Sequence, residues 1–297
     1  MNIGVNNEEI EVYVKILKKV CLEHQDILKG FIIFSIEKDK RFKTIENYLI
    51  DLRQFLKYLD FKEKEINTLT SSDIESYKKY LFREGLKAKS INRKLTSINQ
   101  LFKSININYG VKCKRMKEQK QTFLDDVLTR DEIEKMLNKC GTNIRDKAII
   151  MTLYKTGLRV SELLQLRIRD IRKKSIEIEG KGGKYRYIIV PKELKEIWLQ
   201  YLKVRKPVET DKLFVGTNGE MHRHNINRII KKYAVQARIT KGKAHPHALR
   251  HSFCKALAIQ NVGIEVIADL AGHEDLNTTR IYTRQTQKEL REKIELI

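Results

Sequence analysis

Between His245 and Arg284 the chain reads HPHALRHSFCKALAIQNVGIEVIADLAGHEDLNTTRIYTR. Four of the protein's seven histidines fall in this stretch, together with Arg250, and Tyr282 stands near its end. His247 and Arg250 are three residues apart, so a helix sets both on one face. A guanidinium is a planar fork of donors that fits phosphate oxygens. An imidazole can donate to a further oxygen or move a proton, and a phenol can serve as a nucleophile. With His273 and Tyr282 added, these residue types fit a site that breaks and rejoins a phosphodiester. Each alone is commonplace: a lone histidine or tyrosine is more often structural, and HxxR or GH by itself is a weak signal. The order and spacing of the whole set carry the reading.

The elements that must position these residues follow from local patterns. Ile264 to Ala271 has helical apolar spacing, Gly272 is its C-terminal stop, and His273 follows the stop. Asn277 or Thr278 caps a further helix predicted to carry Tyr282. Upstream, Thr129–Glu132 is a capping box, and a helix from Asp146 to about Lys155 stops at Gly157. Arg159 then sits at a helix–helix junction before a helix capped by Ser161, where its side chain and nearby amides face an anion. Glu162 braces this junction and is given no chemistry. Two strands follow, 175–179 and 185–190, joined by the tip Gly180-Lys181-Gly182-Gly183-Lys184. A lysine on such a tip can enter a groove and reach a leaving oxygen, although solvated turn lysines are the ordinary case. After Pro191 come an apolar-faced helix with Trp198, a short strand 213–215, and a basic helix from about Asn225 to Ala237 that offers Arg228, Lys231 and Lys232 to phosphates. The tail 283–297 is helical in pattern, and its apolar stretch 290–297 is the expected docking segment for a neighbouring copy.

The first part of the chain reads as a small helical bundle. Apolar stripes mark one or two helices over residues 8–36, a helix from Thr44 to Leu56, one capped by Ser71 or Ser72 and ended by Gly85, and one capped by Ser90. Their basic faces (Lys43, Arg53, Lys57; Lys87, Lys89, Arg93, Lys94) could line a duplex or simply be solvated; on DNA they add a sequence-independent, salt-sensitive attraction. The pattern breaks at YGVKCKRMKEQKQT. This gives an N-terminal helical domain over residues 1–108, a basic linker 109–123 able to extend along a groove, and a second domain over 124–297.

Composition narrows the class. The chain has 297 residues and a net charge of +22 at pH 7, with basic residues in excess in both halves, which points to a polyanionic partner for both domains. No apolar run is long enough for a membrane span, and the polar, acidic start is unlike a signal peptide. Cys21, Cys113, Cys140 and Cys254 are scattered with no CxxC, which is read as a reducing cytoplasm and no metal site. No P-loop or acidic metal cluster is visible, so no cofactor is expected.

TGLRVSEL, GKGGKYR after a strand, HPHALRHSF and LAGHEDLNTTRIYTR together resemble the tyrosine recombinase (phage integrase) family, and within it the compact Xer-type members. The resemblance spans nearly the whole chain. It implies a mainly α protein with a small β-sheet: a SAM-like core-binding domain, here with an extra N-terminal helix, followed by an α+β catalytic domain. It makes Arg159 the first arginine, Lys181 the hairpin lysine, His247 and Arg250 the HxxR pair, His273 the second histidine and Tyr282 the nucleophile, with His251 behind them. Two departures, the added N-terminal residues and an individual C-terminal tail, bear on assembly and leave the chemistry intact.

The implied reaction is site-specific strand exchange between two duplexes through a 3′-phosphotyrosyl intermediate and a free 5′-hydroxyl. Arg159 and Arg250 clamp the phosphate, His247 and His273 add donors, and Lys181 protonates the leaving oxygen. The covalent bond stores the phosphodiester energy, so rejoining needs neither ATP nor metal. The expected partners are double-stranded DNA and further copies of the chain, dimer to tetramer on DNA, with a paralogous recombinase as another option. Lys43, Arg53, Lys87, Arg93, Lys94, Lys184, Arg228 and Lys232 are the expected DNA contacts. Chromosome dimer resolution, integration or excision of a mobile element, and cointegrate resolution share one active site and stay open. The competing classes are a non-catalytic DNA-binding accessory factor, which would be expected to lack part of the catalytic set, and a type IB topoisomerase-like enzyme, which would relax DNA without a defined site.

Overall fold

The computed structural model describes residues 6–106, 113–117, 127–180, 183, 185–217, 219–273, 275–282 and 295. The chain forms two compact units, Met1–Lys120 and Gln121–Ile297.

The first unit is built from α1 (Asn7–Leu17), α2 (Leu22–Glu37), α3 (Phe42–Phe61), α4 (Ser71–Arg83) and α5 (Ala88–Ser104). Asn6 and Glu9 close a capping box on α1, as do Thr70 and Asp73 on α4. Three helix starts differ from those predicted: α4 is capped by Thr70 rather than by Ser71 or Ser72, and two others begin earlier. α3 begins at Phe42 rather than Thr44, and α5 at Ala88 rather than Ser90, neither with a side-chain cap. Packing supplies what the caps do not: Phe42 lies against the core with its ring 5.3 Å from that of Tyr13. Leu28, Phe31, Leu49, Phe55, Tyr77 and Leu95 are fully shielded at the centre.

Asp51 on α3 is buried and accepts hydrogen bonds from Arg93 at 2.7 Å, Lys94 at 3.0 Å and Ser97 at 3.0 Å, all on α5. Lys94 is therefore turned inward, only 7% exposed, and is not on the basic face where the sequence puts it. Its four-carbon stem fits the helix–helix seam, and a buried carboxylate demands the partner. Residues 113–117 pack on this unit too: the Asn92 amide donates to the Met116 carbonyl at 3.0 Å and accepts from its N–H at 2.8 Å. That part of the expected linker is docked rather than extended.

The second unit contains α6 (Arg130–Lys139), α7 (Ile144–Thr156), α8 (Val160–Leu163), β1 (Ser175–Glu179), β2 (Tyr185–Ile189), α9 (Lys192–Val204), α10 (Arg223–Gln236), α11 (Pro246–Ile259), α12 (Ile264–Ala271) and α13 (Leu276–Arg280). β1 and β2 pair antiparallel, Ser175 opposite Ile189 and Glu179 opposite Tyr185. α7 runs through the core, where the Trp198 indole N–H of α9 donates to the Thr152 hydroxyl at 2.8 Å. The predicted strand 213–215 is not a regular strand: isolated bridges join Lys212 to Arg167 and Val215 to Glu220. Leu213, Phe214 and Val215 are all buried, a run that fills the core without the alternation of a half-buried strand. Among the described residues no helix is long and apolar enough to cross a membrane.

Candidate active site

Two left-handed glycines frame the site. Gly157 ends α7 at φ 61° and Gly272 ends α12 at φ 65°. A Cβ at Gly157 would stand 2.4 Å from Phe253 Cδ1, and one at Gly272 2.6 Å from Arg186 Cδ, so both positions also require the missing side chain. The helix ends present carbonyls, the negative poles of their helices, and two arginines use them. Arg250 donates to Gly157 O at 2.7 Å and to Ala271 O. Arg159 donates to Gly272 O at 2.9 Å.

Arg159 is the N-cap of α8, and its guanidinium also meets the Glu162 carboxylate at 2.8 Å. Glu162 is 1% exposed and receives a second guanidinium, that of Arg186, at 2.9 Å. Burial works against its ionisation, but Arg186 and Arg159 outweigh this and hold the carboxyl below the ordinary glutamate value. Arg186 in turn donates to Leu270 O. Glu162 is thus the anchor that fixes two arginines, consistent with a bracing role. Arg250 is 1% exposed; burial, then the positive charge of Arg159 and Arg186, pulls its pKa down to about 10.

Four histidines and the tyrosine complete the cluster. His245 caps α11 by accepting the Ala248 N–H at 3.0 Å. His247, on the first turn, is exposed, with its ring 5.1 Å from that of His251. His273 bonds the Thr279 hydroxyl at 2.9 Å, and its ring stacks on Tyr282 at 6.0 Å and 13°. Both His247 and His273 have pKa values below the ordinary histidine range, from lost solvation first and the charge of Arg250 second; that of His273 falls to about 4. Tyr282 lies in the turn after α13 rather than within it, and is 1% exposed. Its hydroxyl meets His251 Nδ1 at 2.6 Å. Burial and the neighbouring Cys254 thiol push its pKa up, against the opposing pull of Arg250 and Arg159.

A cleft of about 700 Å³ opens between this cluster and the hairpin, lined by Arg159, Gly180, Tyr185, Arg186 and His273. A second, of about 250 Å³, lies on the other side of Arg159 and is lined by Ser161, Arg223, Asn227, His245 and His247. Lys181, Lys184 and the tail 283–294 lie outside the described residues.

The structure brings Arg159, His247, Arg250, His273 and Tyr282 into one electrostatic cluster. Of the expected DNA contacts, Lys43, Lys87, Arg228 and Lys232 are exposed and Arg53 half-buried, whereas Arg93 is exposed but paired with Asp51 and Lys94 is buried. Arg186 and Cys254 were not singled out from sequence. Arg186 shares the inward face of β2 with Ile188, and an arginine on that face was the available signal. Cys254 lies one helical turn beyond Arg250.

A guanidinium pair beside histidines and a tyrosine has the residue types that handling a phosphate with a nucleophile requires, on a mainly helical, two-unit scaffold. Residues 126–289 match the phage integrase family, and residues 29–105 match the phage integrase N-terminal SAM-like domain. The chain is 31% identical to the tyrosine recombinase XerD of Listeria monocytogenes (serotype 4b, strain F2365) across 90% of its own length and 96% of that protein's. It is 32% identical to a tyrosine recombinase of Thermosipho africanus across 83% and 90%. Among solved structures, a XerH site-specific recombinase bound to palindromic difH substrate in a post-cleavage complex superposes with a TM-score of 0.77, at 22% identity, over 97% of this chain and 88% of that one. The protein belongs to the phage integrase family of tyrosine recombinases.

Proposed function

We propose that the protein is a site-specific recombinase that cuts double-stranded DNA with Tyr282, holds the 3′-phosphate covalently, and passes it to the 5′-hydroxyl of a second duplex. The carrying observation is the convergence of Arg159 and Arg250 on carbonyl-capped helix ends beside His273 and Tyr282. Arg159 and Arg250, oriented in advance, offset the charge that grows on the non-bridging oxygens. His247 and His273, mostly neutral at pH 7, donate to the phosphate or move the phenolic proton. Lys181 protonates the departing 5′-oxygen. Glu162 and Arg186 position Arg159 and the α12 end without touching the reacting atoms.

The N-terminal unit, roughly residues 1–108, and the unit from about residue 124 both bind the duplex, and the basic segment 109–123 joins them. Lys43, Arg53, Lys87 and Arg93 in the first, and Lys184, Arg228 and Lys232 in the second, contact phosphates. The protein acts in the cytoplasm as dimers that pair into tetramers through the tail 290–297, alone or with a paralogous partner. The intact arginine–histidine–tyrosine set weighs against an accessory factor. A plasmid carrying two copies of the target site tests exchange directly. Site-dependent deletion between the copies supports recombination; relaxation of any plasmid, with no site required, supports the topoisomerase-like reading instead.

A further inference from the structure

In the N-terminal unit, three side chains of metal-ligating type meet. Cys21 is the N-cap of α2 and His24 is the third residue of that helix. Side chains at these two positions lean toward one another, the spacing that a capping box exploits. Here no cap forms, because the Cys21 side chain makes no cap hydrogen bond. Asp60 arrives from the last turn of α3, with Oδ1 2.7 Å from His24 Nε2. One sulfur, one imidazole nitrogen and one carboxylate oxygen from the three residues all lie within 4.8 Å of each other.

A second observation bears on the same ring. His24 is 7% exposed, yet its Nδ1 has no hydrogen-bond partner among the described residues. A buried imidazole nitrogen left unpaired costs free energy, so native proteins rarely keep one without a use. An ion pair between His24 and Asp60 accounts for Nε2 alone. It explains neither the orphaned nitrogen nor the thiol beside it.

We propose that Cys21, His24 and Asp60 bind a divalent transition ion of the zinc class. Thiolate and imidazole are the ligands such ions take in structural sites, and a carboxylate completes or orients the set. With Nε2 held by Asp60, the ring offers Nδ1 to the ion, and the carboxylate fixes the ring's tautomer. With the ring turned over, Nε2 and a carboxylate oxygen both ligate. In either arrangement the three side chains act as a unit and water fills the remaining positions.

The distances permit this. Tetrahedral zinc sets its ligand atoms roughly 3.3–3.6 Å apart; ligand atoms already within 4.8 Å of one another need shifts of about 1.5 Å at most, and the 2.7 Å His24–Asp60 pair opens slightly if both ligate. Cys21 is exposed at the helix start. The C-terminal end of α3, whose last turn carries Asp60, is the negative pole of its helix and favours a cation.

The site has a structural consequence. Cys21 and His24 precede residue 29, where the match to the SAM-like domain begins, while Asp60 lies inside it. A bound ion therefore pins the α1–α2 corner, peculiar to the segment before that domain, onto the domain itself. This does not depend on the recombination reading, and its test reads no catalytic activity.

The test uses the reduced, chelator-treated full-length protein titrated with Co2+. The expected result is one Co2+ per chain, with the intense visible bands of a four-coordinate ion and a thiolate-to-cobalt charge-transfer band, both erased by Zn2+. Cys21→Ser abolishes the charge-transfer band, and His24→Gln weakens zinc binding more than tenfold. Zinc raises the melting temperature of the wild-type protein but not that of Cys21→Ser. Uptake of no cobalt at one equivalent, or a charge-transfer band that survives Cys21→Ser, overturns the proposal. Because Cys21 is exposed, its serine variant keeps the packed contacts, so the comparison stands even if His24→Gln destabilises the unit.

Discussion

The Tyr282 hydroxyl and His251 Nδ1 meet at 2.6 Å beneath the protein surface. The nucleophile of the proposed reaction is therefore bonded to a histidine other than the two expected to share its site. Replacing His251 by alanine removes the imidazole nitrogen that stands in position to take the phenolic proton. The expected outcome is a single-turnover cleavage rate lower by roughly 10²-fold, with DNA affinity unchanged within about twofold. Cleavage kinetics on a nicked substrate at saturating protein check this. An unchanged rate assigns the proton to another group.

Glu162 holds two guanidinium groups in a buried setting, so its loss leaves Arg159 and Arg186 without compensation. Glu162→Ala is expected to cost about 3–5 kcal/mol in the catalytic unit. Glu162→Gln keeps the shape and should cost less while still weakening cleavage through Arg159. Urea unfolding of the full chain, followed by fluorescence of the single tryptophan, Trp198, reports on this unit directly.

His273 has a folded-state pKa of about 4, well below the ordinary histidine value. A depressed histidine stabilises the folded state above the unfolded-state pKa of about 6.5, and that contribution is lost as pH falls toward 4. The catalytic unit should therefore lose roughly 2 kcal/mol between pH 6.5 and 4 on this account, after discounting for partial exposure. His273→Asn should flatten that part of the profile. Denaturant midpoints measured across the interval decide it.

Gly272 combines a positive φ with contact against Arg186, so Gly272→Ala strains the backbone and displaces the arginine at once. A destabilisation of roughly 1–3 kcal/mol from the backbone alone is expected, together with slower cleavage as the carbonyl that holds Arg159 shifts. Gly141, also at positive φ but with open space around its Cβ position, serves as the control: Gly141→Ala should show the backbone cost without the loss of cleavage.

Lys87 and Lys94 separate surface charge from core charge. Lys87 is exposed, whereas Lys94 is buried against Asp51. Lys87→Ala is expected to reduce the salt dependence of DNA binding by about one ion without changing stability. Lys94→Ala should destabilise the N-terminal unit by roughly 1–3 kcal/mol and leave the salt slope alone. Binding isotherms at several salt concentrations, paired with unfolding curves, distinguish the two.

Much of the fold was legible because the signals are local. The Thr129–Glu132 capping box, the stops at Gly157 and Gly272, and the β1–β2 hairpin are written in neighbouring residues. Helix starts at Phe42 and Ala88 escaped because neither has a side-chain cap to mark it, and at Phe42 packing against Tyr13 stands in for one. The inward turn of Lys94 depends on Asp51, 43 positions away in the chain, which no periodicity reveals. The site was legible as a set of residue types in order. Its wiring was not, since Arg186 reaches Leu270 O and Glu162 only through folding. The scattered cysteines read as chemically silent for the same reason: Cys21 acquires its carboxylate neighbour from the far end of α3.

The most direct test of the central claim is covalent capture on a suicide substrate, a nicked duplex carrying candidate target sites, incubated without metal with wild type and with Tyr282→Phe. The account predicts a denaturant-stable protein–DNA adduct at the 3′-phosphate with wild type alone, the trapping sequence identifying the site. An adduct of equal yield with Tyr282→Phe, or tight binding by wild type with no adduct on any site, contradicts it.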